Sequence, residues 1–350
     1  MLLLFAPYPH MNHIYDGVAA RVLAIDEFVF DRERCYINIS FTRFIKMKKY
    51  KKDKLEAIEC NFFLYFVYII FLVLKANTIY CHTMMNYLRA LPFCWWKRNV
   101  IVDIHGVLVD ELKYNKASMF KIILYGIVEK IIISKAKKVI CVSKAMSNYY
   151  IDKYRMGRTD KFIVLPIFSR KYDKNKILAK DYGTNIAIYA GNLDKWQCID
   201  DMLNISIKRN DKKYVYLVSD KSAFSNMVSH VNLSERGVDY YYDSVPKECV
   251  EGYYEKADFG FIIREDNIVN AVSCPTKLTE YICNGVIPIK NEYSLGDFSG
   301  IKYISVEKFV RNQIPTAEKL REIAIYNGSL YEKIYILAQE GRKELIRNLK

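Results

Sequence analysis

A chain of 350 residues is longer than one ordinary domain, so its length predicts two domains of about 150 to 200 residues, each able to bury its own core. With 51% apolar and 26% charged residues it is not a disordered chain, and a net charge of +14 asks for an anionic partner or a solvated basic face. Nine cysteines with no C-x-x-C pair argue against a disulfide framework or a cysteine zinc site and for reduced thiols in the cytosol, while the lack of H-E-x-x-H and G-x-x-x-x-G-K-[ST] excludes zinc proteases and P-loop hydrolases.

Leu2 to Phe5 reads as a buried strand, and the polar loop Pro7 to Gly17 leads into a helix striped by Val18, Val22, Ile25 and Val29. That is a βα unit, and its loop carries His10, Asn12, His13 and Asp16. Asp16 reads as a helix cap. Met1 to Ala6 is too short for a secretory h-region and runs into Pro7 and Pro9. After the strand Tyr36 to Phe41, the stretch Arg43 to Lys54 holds seven cations against one acid, with aromatics interleaved. It suits a solvated loop and helix face, an anionic lipid surface or a nucleic acid. The 13 residues Phe62 to Leu74 fall short of the roughly 20 that span a bilayer, so they predict a buried crossover helix.

Thr78 to His82 and Val100 to Ile104 read as buried strands, the second followed at once by His105-Gly106. A long helix from Met119 to Ile133 and strands at Lys138 to Val142 and Phe162 to Pro166 complete a first domain over 1–168. The charged, irregular stretch Ile167 to Tyr182 marks the boundary. A second domain over 169–334 opens with the strand Ile186 to Ala190, the sequence GNLDKWQCIDDML, and strands at Tyr214 to Ser219 and Val238 to Tyr242. Its centre is Ala257 to Ile289: strand, polar loop, short helix, strand. Ser273 is placed to cap the helix, Pro275 and Thr276 suit its first turn, Leu278, Tyr281 and Ile282 stripe it, and Gly285 can end it. A loop from a strand's carboxyl end to a helix amino end offers free N–H groups to phosphate. Arg264 leaves the strand there, Lys277 lies in the first helical turn and Glu280 follows one turn on, off the apolar stripe. Helices run from Thr316 to the end, the last, at about 335–350, expected to pack back on the first domain.

The segment Ala257 to Ile289 resembles the donor-binding loop of GT-B glycosyltransferases, in particular glycosyltransferase family 4, in which a proline-bearing loop leads into a helix with a glutamate. The resemblance implies two Rossmann-like α/β domains facing a cleft. By it, the amides around Cys274, Pro275 and Thr276 face a nucleotide diphosphate and Glu280 the ribose. The family's second glutamate, eight positions earlier, is Val272 here. GNLDKWQCIDDML resembles the first βα turn of the family's carboxyl domain, placing Gly191 and Asn192 at the donor, with Asn192 where the family has arginine and Lys195 or Gln197 nearest its lysine. The cationic grip therefore falls to Arg264, Lys195 and Lys277. His105-Gly106 resembles the His-Gly that approaches the donor sugar in the family, and Asp16-Gly17 fall in its first loop, on the acceptor side.

The expected function is a retaining, metal-independent transfer of a hexose-type sugar from a nucleotide-diphosphate sugar to a glycan or lipid-linked acceptor in surface polysaccharide synthesis. Catalytic roles fall to His105, Arg264 and Lys277. The chain has no D-x-D, so no metal or other cofactor is expected beyond the nucleotide sugar itself. The expected location is cytoplasmic, at the inner face of the plasma membrane through Arg43 to Lys54. The rivals are a degenerate, non-catalytic GT-B subunit and a basic nucleic-acid-binding protein; nucleic acid is not the expected partner.

Overall fold

The computed structural model of the chain describes residues 1–9, 17–157, 159–166 and 171–349. It divides into two compact units, Met1–Ile167 with Leu337–Lys350, and Phe168–Ile336.

In the first unit the strands are β1 (Leu2–Phe5), β2 (Arg34–Ser40), β3 (Lys48–Lys52), β4 (Leu55–Asn61), β5 (Thr78–His82), β6 (Val100–Ile104), β7 (Lys138–Cys141) and β8 (Phe162–Val164). They lie in the order β3-β4-β2-β1-β5-β6-β7-β8, antiparallel at β3–β4 and parallel elsewhere. Continuous apolar runs such as LLLF and TIYCH suit strands covered on both faces. The helices are α1 (Gly17–Asp26), α2 (Phe66–Lys75), α3 (Thr83–Cys94), α4 (Leu108–Tyr114), α5 (Met119–Lys135) and α6 (Lys144–Lys153). Leu4, Tyr36, Tyr80 and Ile101 form a core with Val22 and Ile25 of α1 and with Leu345. A second helical layer has α3 packed on β1, β2, β5 and β6, with α2 and α5 against it.

Two expectations are corrected here. Arg43 to Lys54 is part loop, over Arg43 to Met47, but no helix face: the rest is β3, exposed along its length, which returns into β4 through a two-residue turn in which Asp53 takes a left-handed φ of 49°. Lysines on both faces hide the two-residue period, and they suit an edge strand because they discourage further pairing. Lys48 stands opposite Glu59 and Lys51 opposite Glu56, cross-strand pairs that fix the register. Phe62 to Leu74 is not a buried crossover helix either. Helix α2 begins only at Phe66 and buries Ile69, Leu72 and Val73, leaving most of its other apolar side chains exposed or half-buried.

In the second unit β9 (Ile186–Gly191), β10 (Lys213–Val218), β11 (Asp239–Asp243), β12 (Phe259–Phe261), β13 (Ile287–Lys290) and β14 (Ile304–Ser305) form an all-parallel sheet in the order β11-β10-β9-β12-β13-β14. Its helices are α7 (Lys174–Leu178), α8 (Ile199–Lys208), α9 (Lys221–Val231), α10 (Lys247–Lys256), α11 (Ile268–Ala271), α12 (Thr276–Cys283), α13 (Val306–Val310) and the first part of α14 (Ala317–Asn348), whose residues from Leu337 on belong to the first unit. The last is one continuous helix of 32 residues, not several. The expected cap at Ser273 is not made: Pro275 precedes α12 without a side-chain cap, and the Ser273 hydroxyl donates to the Asn270 carbonyl. Gly285 ends the helix with a φ of 64°.

Both sheets reverse their strand order once near the middle, between β1 and β5 and between β9 and β12. The carboxyl ends of strands at such a reversal are where open parallel sheets bind ligands.

Candidate functional site

Strand β9 ends in Gly191, and the chain leaves β12 toward Arg264, so both flank the reversal of the second sheet. Gly191 has a φ of 158°, and a methyl group there would collide with Lys277 Nζ. Lys277, from the first turn of α12, is buried; its Nζ donates to Gln197 Oε1 at 3.1 Å and stands 3.8 Å from the centroid of the Tyr189 ring. Arg264 donates through Nη1 to Asn270 Oδ1 at 3.3 Å, and its Nε is buried without a hydrogen-bond partner among the described residues. Burial pushes the Lys277 ammonium well below its ordinary pKa and Arg264 pushes it further; burial also lowers Arg264. Among the described residues neither is held by a carboxylate hydrogen bond. A buried ammonium and a half-buried guanidinium without such a partner are costly in an empty protein, and an incoming anion removes much of that cost. The uncapped amides that open α12 add partial positive charge to the same place.

The other proposed donor residues divide. Cys274 is half-buried, Pro275 buried and Thr276 exposed at the helix start. Asn192 is exposed, and its side-chain amide donates to Asp194. Of Lys195 and Gln197, Lys195 is exposed, and Gln197 is the buried residue that meets Lys277. Glu280 is not a free carboxylate: Tyr254 donates its hydroxyl to Oε2 at 2.9 Å, so one carboxylate oxygen is already engaged. Val272 is buried, so no carboxylate projects from that position.

In the first unit His105 follows β6 beside the reversal at β1 and β5. Its Nε2 lies 3.5 Å from Oδ2 of Asp103, a carboxylate with no exposed surface. Arg21 of α1 donates to both Asp103 oxygens at 2.8 Å, and the Tyr80 hydroxyl adds a bond of 2.8 Å. Burial pushes the Asp103 carboxyl up, but the charges of Arg21 and His105 and the hydrogen bonds from Arg21 carry it well below the usual carboxylate range. His82, at the end of β5, is fully buried with no hydrogen bond at either ring nitrogen among the described residues, and burial lowers its pKa to about 3, so it is neutral at pH 7. His82, Asp103 and His105 place ligand atoms within 4.8 Å of one another, close enough for a metal ion. The fork of Arg21 already neutralises Asp103, however, and would stand against any second cation. The arrangement fits a buried carboxylate that orients His105 better than a metal centre. Gly106 leaves room for the Glu111 side chain, whose pKa burial raises. Asp16 lies outside the described residues, and Gly17 is the first residue of α1.

Sequence reasoning missed Arg21, Tyr80, His82 and Asp103, and it missed Tyr189 and Tyr254. No local pattern marks them, because Arg21 meets Asp103 across 82 positions and Lys277 meets Gln197 across 80.

A scan of the sequence against protein-family models finds no match, and a search of curated protein sequences finds none. Solved structures do match along the whole chain. A trehalose-6-phosphate protein from E. coli bound with UDP-2-fluoro glucose is 10% identical with a TM-score of 0.65, over 99% of this chain and 98% of that one. Anabaena Alr3699/HepE in complex with UDP is 11% identical with a TM-score of 0.65, over 98% of each chain. The apo form of the lipopolysaccharide outer core galactosyltransferase WaaB is 11% identical with a TM-score of 0.57, over 96% of this chain and 99% of that one. At these identities the likeness concerns the fold, and the fold of this chain is that of the GT-B glycosyltransferases.

Proposed function

We propose that the protein is a glycosyltransferase, similar to family 4, that moves a hexose-type sugar from a nucleotide-diphosphate sugar to a glycan or lipid-linked acceptor in surface polysaccharide synthesis. The observation that carries this reading is the pair of buried Lys277 and half-buried Arg264, without carboxylate hydrogen bonds among the described residues, at the carboxyl ends flanking the reversal of the second sheet. UDP and a UDP-sugar in two of the similar structures support the ligand class, and WaaB supports the polysaccharide setting.

In this reading the bond between the sugar's C1 and the diphosphate oxygen breaks, and the nucleotide diphosphate leaves with the electron pair. The acceptor hydroxyl oxygen bonds to C1, and its proton passes to the departing phosphate, giving retention. Lys277, Arg264 and the amides of α12 stabilise the negative charge on the leaving group as it forms. Glu280, steadied by Tyr254, accepts from the ribose with its remaining oxygen. His105 is assigned to the transferring sugar by the resemblance. Because protein cations and amides serve the diphosphate, the reaction needs no divalent metal or cofactor. The lysines of β3 would hold the protein to anionic lipid at the inner face of the plasma membrane, in the cytoplasm.

A second reading, a GT-B subunit that binds without transferring, is favoured by the buried Val272 and by Asn192, which offers no positive charge. Incubation with a panel of nucleotide sugars, with and without EDTA, separates the two. Slow hydrolysis of at least one donor that persists in EDTA is expected. Binding without hydrolysis of any donor supports the second reading, and activity lost in EDTA and restored by magnesium or manganese overturns metal independence.

A further inference from the structure

No helix among the described residues is long and apolar enough to cross a membrane. Yet the helical layer of the first unit is apolar outward. From Phe62 to Leu74 there is no charged residue. Instead of turning to the core, Phe63 is 67%, Val67 78% and Leu74 60% exposed. On α5, Phe120 is 74% exposed and leads an outward stripe with Ile123 and Ile127. Between these helices lies α3, and Trp95 and Trp96, which follow its last residue Cys94, are both exposed. Soluble surfaces scatter such residues singly, and a contiguous patch of this kind marks an interaction face.

The exposed charges along α2, α3 and α5 are cations, and the acid of α5, Glu129, is fully buried. There is no acid between Glu59 and Asp103 and none between Glu111 and Glu129, whereas Lys75, Arg89, Lys97, Arg98, Lys116 and Lys121 fall within those spans. The lysine strand β3 is joined to the patch directly, for Lys49 Nζ donates to the Tyr68 hydroxyl of α2 at 3.0 Å. We infer that α2, the end of α3 and the first half of α5 form a face that enters the interface of an anionic bilayer, with β3 at its rim. Apolar side chains then sit at the boundary of headgroups and acyl chains, the two tryptophans at headgroup level and the lysines against lipid phosphates. A second copy of the chain is the poorer occupant, because two such faces laid together would set cations against cations with no acid between them. The inference rests on the proposed reading for its choice of the cytoplasmic leaflet, and it adds burial of apolar surface to the electrostatic contact of the lysines.

Sedimentation with vesicles of phosphatidylglycerol and phosphatidylethanolamine, against vesicles of phosphatidylcholine alone, tests it. The wild type should bind the anionic vesicles, with a blue shift of tryptophan emission, and part of that binding should survive high salt. The double variant Val67→Glu and Phe71→Glu, at exposed positions, should bind at least tenfold more weakly at every salt concentration. The variant with Lys48, Lys49, Lys51 and Lys52 all changed to Gln should lose only the salt-sensitive part. Equal binding by the Glu variant and the wild type, complete release of the wild type by high salt, or a change of oligomeric state without a change in vesicle binding would each overturn insertion. Titration of the same samples with UDP is the control: vesicle binding lost with UDP binding intact supports the inference on a folded protein. Vesicle binding by a wild type that binds no nucleoside diphosphate would leave the membrane face standing and remove the transferase reading.

Discussion

The carboxyl ends of the two sheets differ in how they treat a buried cation. In the first unit Arg21 is matched in full, with two bonds of 2.8 Å to a carboxylate that Tyr80 also holds. In the second, Lys277 has an amide oxygen and the face of a tyrosine, and Arg264 has one long bond and a bare Nε. The first site is electrostatically closed without a ligand. The second is short of an anion, and that shortage is the ground on which a phosphate site is proposed there.

The sharpest way to break the comparison is to remove each cation in turn. Arg21→Met leaves Asp103 buried and unpaired, so unfolding free energy should fall by about 3 to 5 kcal/mol, read by denaturant titration at neutral pH. Because the folded state holds the Asp103 carboxyl below its ordinary value, the pair's stabilisation is present above the ordinary carboxylate range and fades as pH falls toward the folded pKa. The gap between variant and wild type should narrow on acidification. A gap that widens would contradict the pairing.

Lys277→Met should do the reverse. It orphans no acid, so stability should hold or rise, while affinity for a nucleoside diphosphate drops about a hundredfold, or about 2.7 kcal/mol, by calorimetric titration. The folded, empty state holds Lys277 below its ordinary pKa, so the cost of that ammonium is present at neutral pH and disappears as pH rises through the ordinary lysine range. The advantage of the variant should vanish there. A loss of stability like that of Arg21→Met would mean that Lys277 is a structural cation.

The smallest effect sharpens the site's edge. Glu280→Gln keeps an oxygen for Tyr254 and removes the charge, so the fold should survive while donor affinity drops about tenfold, or about 1.4 kcal/mol. Unchanged affinity for every nucleoside diphosphate would move the ribose elsewhere.

Much of the fold was legible because its strands are buried on both faces and read as unbroken apolar runs. Thr78 to His82 and Val100 to Ile104 form strands over the residues their pattern predicts. β3 was not legible, since a strand of lysines and one tyrosine carries no apolar period and is defined by its pairing with β4. Nor was the exposure of α2, because an apolar run states that a helix can be buried, not that a partner exists to bury it.

The same division holds at the candidate sites. By itself the sequence determined the local pieces, a glycine ending β9, a cation leaving β12, a lysine and a glutamate one turn apart on α12, because each follows from spacing along one element. Only the tertiary structure decided which charges are satisfied. It gave Arg21 its acid and Glu280 its tyrosine, and among the described residues it left Lys277 and Arg264 without a carboxylate hydrogen bond. Burial and pairing depend on residues far apart in the chain, and it is the cost of desolvation at those meeting points that turns a charged residue into a site.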